Sequence, residues 1–248
     1  MRPHAGSTPI MRQLALELAS PPAPTLENFV TGANAEAVAV LRALAEGAPG
    51  ERFIYLWGAP GSGRSHLLRA ALNSLADAGR RVRLYGAGEL PLADEGAEVV
   101  GVDDVQRLDN QAQINLFNIF NNLKESFGVL VVTGDCPPAR LSLRADLLTR
   151  LAWGLVYEVR ALTEDDRRAA VLDYANARGF MLPPEVTDYL LARVPRDLSS
   201  LRALVDTLDR VSLEQKRAVT VPLAREVLQL LQQKNCNENG KLNDSGVV

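Results

Sequence analysis

Gly58-Ala59-Pro60-Gly61-Ser62-Gly63-Arg64-Ser65 decides how the rest of the chain is read. It follows an apolar run, Phe53-Ile54-Tyr55-Leu56-Trp57, and opens onto a helical pattern, His66-Leu67-Leu68-Arg69-Ala70-Ala71-Leu72. Strand, glycine loop and helix in that order are the context of a phosphate-binding loop, G-x-x-x-x-G-K-[ST]. Glycines let successive N–H groups turn inward around phosphate oxygens, and the helix N-terminus adds its positive end. Gly58, Pro60, Gly61, Ser62, Gly63, Arg64, Ser65 and His66 are therefore read as a nucleotide cradle. The hydroxyl of Ser65 stands where Mg²⁺ would be held.

Arg64 replaces the lysine of the motif. Arginine keeps the charge but brings a larger, planar fork that grips oxygens in pairs. Phosphate binding survives the exchange, while bulk crowds the space of a third phosphate. The expectation is a site that favours a diphosphate and hydrolyses its own triphosphate poorly.

A second acidic signal follows. Val99-Val100-Gly101-Val102 is an apolar run ending in Asp103-Asp104. Such a strand is expected beside the loop strand, its terminal acid helping to hold Mg²⁺. Asp103 takes that role and Asp104 the place of a water-polarising acid, one methylene shorter than glutamate.

Composition bounds the alternatives. The 248 residues suffice for one sizeable core plus a small satellite. A net charge of −3 offers no whole-molecule basic field for nucleic acid. Two cysteines, Cys136 and Cys236, and two histidines, His4 and His66, lack the spacing of a metal site. No apolar run reaches transmembrane length and no secretory leader opens the chain, so the cytoplasm is the expected location.

The pattern along the chain is α/β, then α. Apolar strand-like runs fall near Phe53–Trp57, Val82–Tyr85, Val99–Val102, Val129–Val132 and Leu155–Val159, with helices over Ser65–Ala78 and Gln111–Lys124. That alternation predicts a parallel sheet covered on both faces. From Thr163 the pattern is helical only, opening with Thr163-Glu164-Asp165-Asp166 as a capped acidic turn. Gly179 ends that helix, Pro183-Pro184 starts the next, and Asp197–Lys216 and Pro222–Gln233 follow. The expected divisions are a leader over 1–24, a nucleotide-binding domain over 25–161, a helical lid over 162–234 and a polar tail over 235–248.

With these residues in view the chain resembles the AAA+ ATPases, and within them the DnaA-related clade and its Hda branch. The particular matches are Asn28-Phe29-Val30-Thr31-Gly32, Ile54-Tyr55-Leu56-Trp57, Gly61–Leu68, Thr133-Gly134-Asp135-Cys136-Pro137-Pro138 and Arg150-Leu151-Ala152-Trp153-Gly154. Arginine in the phosphate loop is itself a resemblance to Hda. The resemblance implies a five-stranded parallel sheet followed by a small all-helical lid. It implies adenine packed against Phe29, Val30 and Gly32, sensor 1 at Asp135, and bound ADP (or ATP) with Mg²⁺. The sensor-2 arginine falls on Ser199; Arg196 is the first substitute and Arg202 the second. Arg150 matches the arginine finger, which reaches a neighbour's nucleotide and offsets charge as the phosphoryl group leaves.

Gln13-Leu14-Ala15-Leu16-Glu17-Leu18 precedes the Ala/Pro-rich Ala19–Pro24. It resembles the short peptide by which bacterial proteins bind the replication sliding clamp, the beta subunit of DNA polymerase III. Gln13 would hydrogen-bond at a pocket rim while Leu14, Leu16 and Leu18 anchor in apolar pockets. The stretch after the lid leaves no room for an origin-binding module, so strong direct DNA binding is not expected. The resemblance thus implies a regulator that holds ADP, sits on the clamp and stimulates hydrolysis of DnaA-bound ATP. Its own ATPase would be weak or absent, and it would form a homodimer or higher AAA+ oligomer. The alternatives are an ATP-driven helicase loader of the DnaC type and a non-catalytic adaptor between clamp and DnaA.

Overall fold

The computed structural model describes residues 23–230, apart from 87, 89, 93–95 and 195–196. A strap over residues 23–34 leads into α1 (Ala35–Ala45), followed by β1 (Phe53–Trp57), α2 (Arg64–Asp77), β2 (Val82–Tyr85) and β3 (Val99–Val102). Next come α3 (Asn110–Glu125), β4 (Val129–Gly134), α4 (Ala145–Leu151) and β5 (Leu155–Glu158). The lid helices are α5 (Glu164–Ala177), α6 (Pro184–Leu191), α7 (Leu198–Gln215) and α8, residues 221–230.

All five strands are parallel, in the order β2-β3-β4-β1-β5. Helices cover both faces, which is why β3 and β4 read as unbroken apolar runs, every residue buried. On one face Phe53, Tyr55, Val100, Val102, Leu130 and Val132 pack under α3 and α4. On the other, Ile54, Leu56, Val99, Val129 and Val131 meet Leu67, Leu68 and Leu72 of α2 and Val38 and Leu41 of α1. The lid has its own core around Val171, Leu190, Leu204, Leu208 and Leu223.

The five strands and the lid agree with the expected fold. One detail differs. The strand ending in Asp103-Asp104 was expected beside the loop strand, but β4 lies between β3 and β1. The local pattern of a buried strand carries no information about its neighbours. Pairing puts Val102 beside Val132 and Trp57 beside Gly134, so the ends of all three strands converge at one edge.

Candidate nucleotide-binding site

At that edge the loop after β1 is shaped by close approaches. A side chain at Gly58 would run into the Val159 carbonyl, and Gly61 and Gly63 turn with φ of +78° and +100°. No side chain caps α2, which starts at Arg64, so its first N–H groups stand open to an anion. The buried hydroxyl of Ser62 has no hydrogen-bond partner among the described residues, an unmet polar group that a phosphate oxygen would satisfy.

The loop forms one wall of a cavity of about 230 Å³. Gly61, Ser62, Gly63, Arg64, Ser65 and His66 line it, with Phe29 and Val30 of the strap opposite. The Phe29 and His66 rings lie 5.5 Å apart at 46°. His66 Nε2 is 3.1 Å from the Thr25 carbonyl, tying α2 to the strap, and burial pushes the imidazole pKa below its ordinary value. The lid closes the third side through Leu198, Ser199 and Arg202, and Leu162 stands at the hinge.

Arg202 joins lid and strap. Its Nη1 donates to the Asn28 carbonyl at 3.1 Å, and its guanidinium lies 5.3 Å from the Tyr174 ring centroid. Burial lowers its pKa, and its Nε has no acceptor among the described residues. Ser199, the expected sensor-2 position, also faces the cavity. Arg196, the first substitute named from the sequence, lies outside the described residues.

Behind the loop lies a polar relay. Ser65 Oγ donates to Asp103 Oδ1 at 2.9 Å, and Thr133 Oγ1 donates to the same oxygen at 2.6 Å. Thr133 Oγ1 in turn accepts the Asp104 N–H at 2.9 Å, so one buried hydroxyl of β4 aligns both acids. Arg64 reaches across the end of β4, donating to the Gly134 carbonyl and standing 3.4 Å from Asp104 Oδ1. Among the described residues no cluster of three or more His, Cys, Asp or Glu side chains forms a metal cage. Ser65 and Asp103 fit instead the Mg²⁺ habit of one or two protein ligands completed by phosphate oxygens and water.

Other expected residues stand away from the cavity. Gly32 packs behind it, where an added Cβ would meet Leu162 Cδ2 at 2.9 Å, and Pro60 is exposed at the loop tip. Asp135 follows β4 with its side chain exposed. Arg150, in the last turn of α4, lies outside the cavity lining with its guanidinium 5.5 Å and 5.4 Å from the Phe117 and Phe120 ring centroids. Gln13, Leu14, Leu16 and Leu18 lie outside the described residues. Sequence reasoning missed Thr133, whose signal was a hydroxyl interrupting an apolar strand one residue before its end. It also missed Asn28, Leu162 and Asp197 as lining residues.

Comparisons agree with this geometry. Residues 164–228 match the family described as Hda, lid domain, and residues 95–158 match the bacterial DnaA ATPase domain. The fold is shared with domain III of the Thermotoga maritima replication initiation protein DnaA, at 24% identity and TM-score 0.69, covering 84% of this chain and 96% of that one. A replication initiator DnaA bound to AMPPCP and single-stranded DNA is 25% identical with TM-score 0.65, covering 78% of this chain and 67% of that one. A Thermotoga maritima RuvB mutant shares the fold more distantly, at 14% identity and TM-score 0.60 over 84% of this chain and 72% of its own. Residues 95–158 thus resemble the ATPase domain of bacterial DnaA and residues 164–228 the lid domain of Hda, on a fold shared with DnaA and RuvB.

Proposed function

We propose that this protein binds ADP in the cavity between strap, phosphate loop and lid, and that in this state it stimulates hydrolysis of DnaA-bound ATP, preventing re-initiation of replication. The adenine would pack against Phe29 and Val30, and the phosphates would meet Gly61–Ser65 with Mg²⁺ at Ser65 and Asp103. Arg202 is the lid cation best placed to report occupancy, because it lines the cavity while holding the Asn28 carbonyl. AMPPCP in a DnaA that shares this fold supports an adenine nucleotide here.

The observation that carries the reading is the position of Arg150. It lies at the end of α4, outside its own chain's cavity and held by two aromatic rings, as a residue acting on another protein's nucleotide would be. A guanidinium aimed at developing phosphoryl charge is worth several orders of magnitude in rate. The leader peptide Gln13–Leu18 would tether the protein to the DNA-loaded sliding clamp, concentrating it where DnaA must be inactivated.

The test measures hydrolysis of DnaA-bound ATP with clamp loaded on DNA. The wild-type chain is expected to accelerate it, and Arg150→Ala to lose at least about a hundredfold of that stimulation while ADP affinity stays unchanged. Unchanged stimulation by Arg150→Ala would remove the finger role. Stimulation that survives without clamp would remove the tether, and no stimulation at all would leave a helicase loader or a passive adaptor.

A further inference from the structure

We propose that Arg64 is a brake on the site's own phosphoryl chemistry, its fork held by the protein so that Asp104 cannot polarise a water. The inference rests on reading the cavity as a nucleoside triphosphate site and goes further, in giving a structural cause for slow hydrolysis that is separate from crowding of the third phosphate.

Arg64 is nine-tenths buried. Its Nη1 donates to the Gly134 carbonyl at the end of β4, and its Nη2 stands 3.4 Å from Asp104 Oδ1 beyond the end of β3. One planar fork therefore spans two neighbouring strand ends. A lysine ammonium carries its three donors on a single atom and cannot spread them as a planar fork does, so arginine suits the spanning contact better.

Asp104 is itself fixed. Its backbone is left-handed, φ +58°, and its N–H donates to Thr133 Oγ1. Oδ1 accepts Gln106 Nε2 at 3.1 Å as well as facing Arg64, and Oδ2 has Arg107 Nη1 at 4.0 Å. Oδ1 thus carries two donors, and Oδ2 only a longer, exposed ion pair. To promote hydrolysis it must instead accept from a water. That water's oxygen would bond to the γ-phosphorus, and the bond from phosphorus to the β–γ bridging oxygen would break with its electron pair leaving on ADP. The water proton would pass to Asp104 and then to the released phosphate. With Oδ1 holding Arg64 and Gln106, and one methylene short of glutamate, Asp104 is drawn away from that contact.

The experiment uses the full chain alone with Mg²⁺ and ATP, without DnaA or clamp. Single-turnover release of ADP is followed for the wild type, Arg64→Lys, and Arg64→Lys combined with Asp104→Asn, with ADP and ATP affinities measured by calorimetry. Lysine is the residue the loop motif ordinarily carries, so the variant keeps the loop. Arg64→Lys is expected to hydrolyse ATP at least about tenfold faster than wild type, a fraction of the roughly 10²–10⁴-fold that a well-placed base contributes. The double variant returns to the wild-type rate, each rate being read at ATP concentrations that saturate the variant. A single variant no faster than wild type overturns the proposal, as does a double variant as fast as the single. A wild type that binds neither nucleotide removes the site reading and the inference together, whereas normal binding with no acceleration removes the inference alone.

Discussion

Gly63 lets the strap ring close onto the phosphate loop by having no side chain. With φ +100° it occupies a region that costs an L-residue about 1–3 kcal/mol. An added Cβ would also stand 2.7 Å from Phe29 Cε2, forcing the strap ring off the phosphate loop. Gly63→Ala is therefore expected to weaken ADP binding by about tenfold or more, the result of displacing both base and phosphate contacts, and to lower the melting temperature. Calorimetry and thermal denaturation check both. At this scale the sequence was informative for the loop, where spacing itself implies chemistry, and silent on Thr133. That threonine matters because β4 happens to lie between the two strands whose ends carry the site, a long-range fact. Asp135, which the resemblance places at sensor 1, is exposed.

The helices show why some elements were legible and others not. α5 announces itself. Thr163 Oγ1 accepts the Asp166 N–H at 3.1 Å while Asp166 Oδ2 accepts the Thr163 N–H at 3.1 Å, closing a capping box. Three acids in its first turn complement the helix dipole. Thr163→Ala is expected to cost roughly 0.5–2 kcal/mol, read as a lower denaturant midpoint. Its position next to Leu162, which lines the cavity, predicts that added ADP recovers part of the loss. α1 carried no comparable signal and the sequence reading passed over it. Its N-cap residue Asn34 makes no capping bond and instead pairs across the fold with Arg160, donating to its carbonyl at 2.9 Å and accepting its N–H at 2.7 Å. That helix is set by packing of Ala37, Val38, Leu41 and Leu44 rather than by its ends.

Across the whole molecule, chain order and spatial order part company in a useful way. Strap, loop and lid come from three separate stretches, yet His66 to Thr25, Asn34 to Arg160 and Arg202 to Asn28 tie them together around one cavity. Arg150 stands outside it. Alternation of strands and helices made the layered α/β body readable, because each buried strand is apolar on both faces. The order of strands and the choice of Arg202 as the lid cation were not readable, since the first follows from pairings 30 and 77 positions apart and the second from a contact 174 positions apart. Among the described residues no helix is long and apolar enough to cross a membrane. The site at the centre of this account is tested most directly by titrating the full chain with ADP and Mg²⁺ in a calorimeter. The account predicts one site per chain with micromolar or tighter affinity and a melting temperature that rises with ligand; absence of both heat and thermal shift would contradict it.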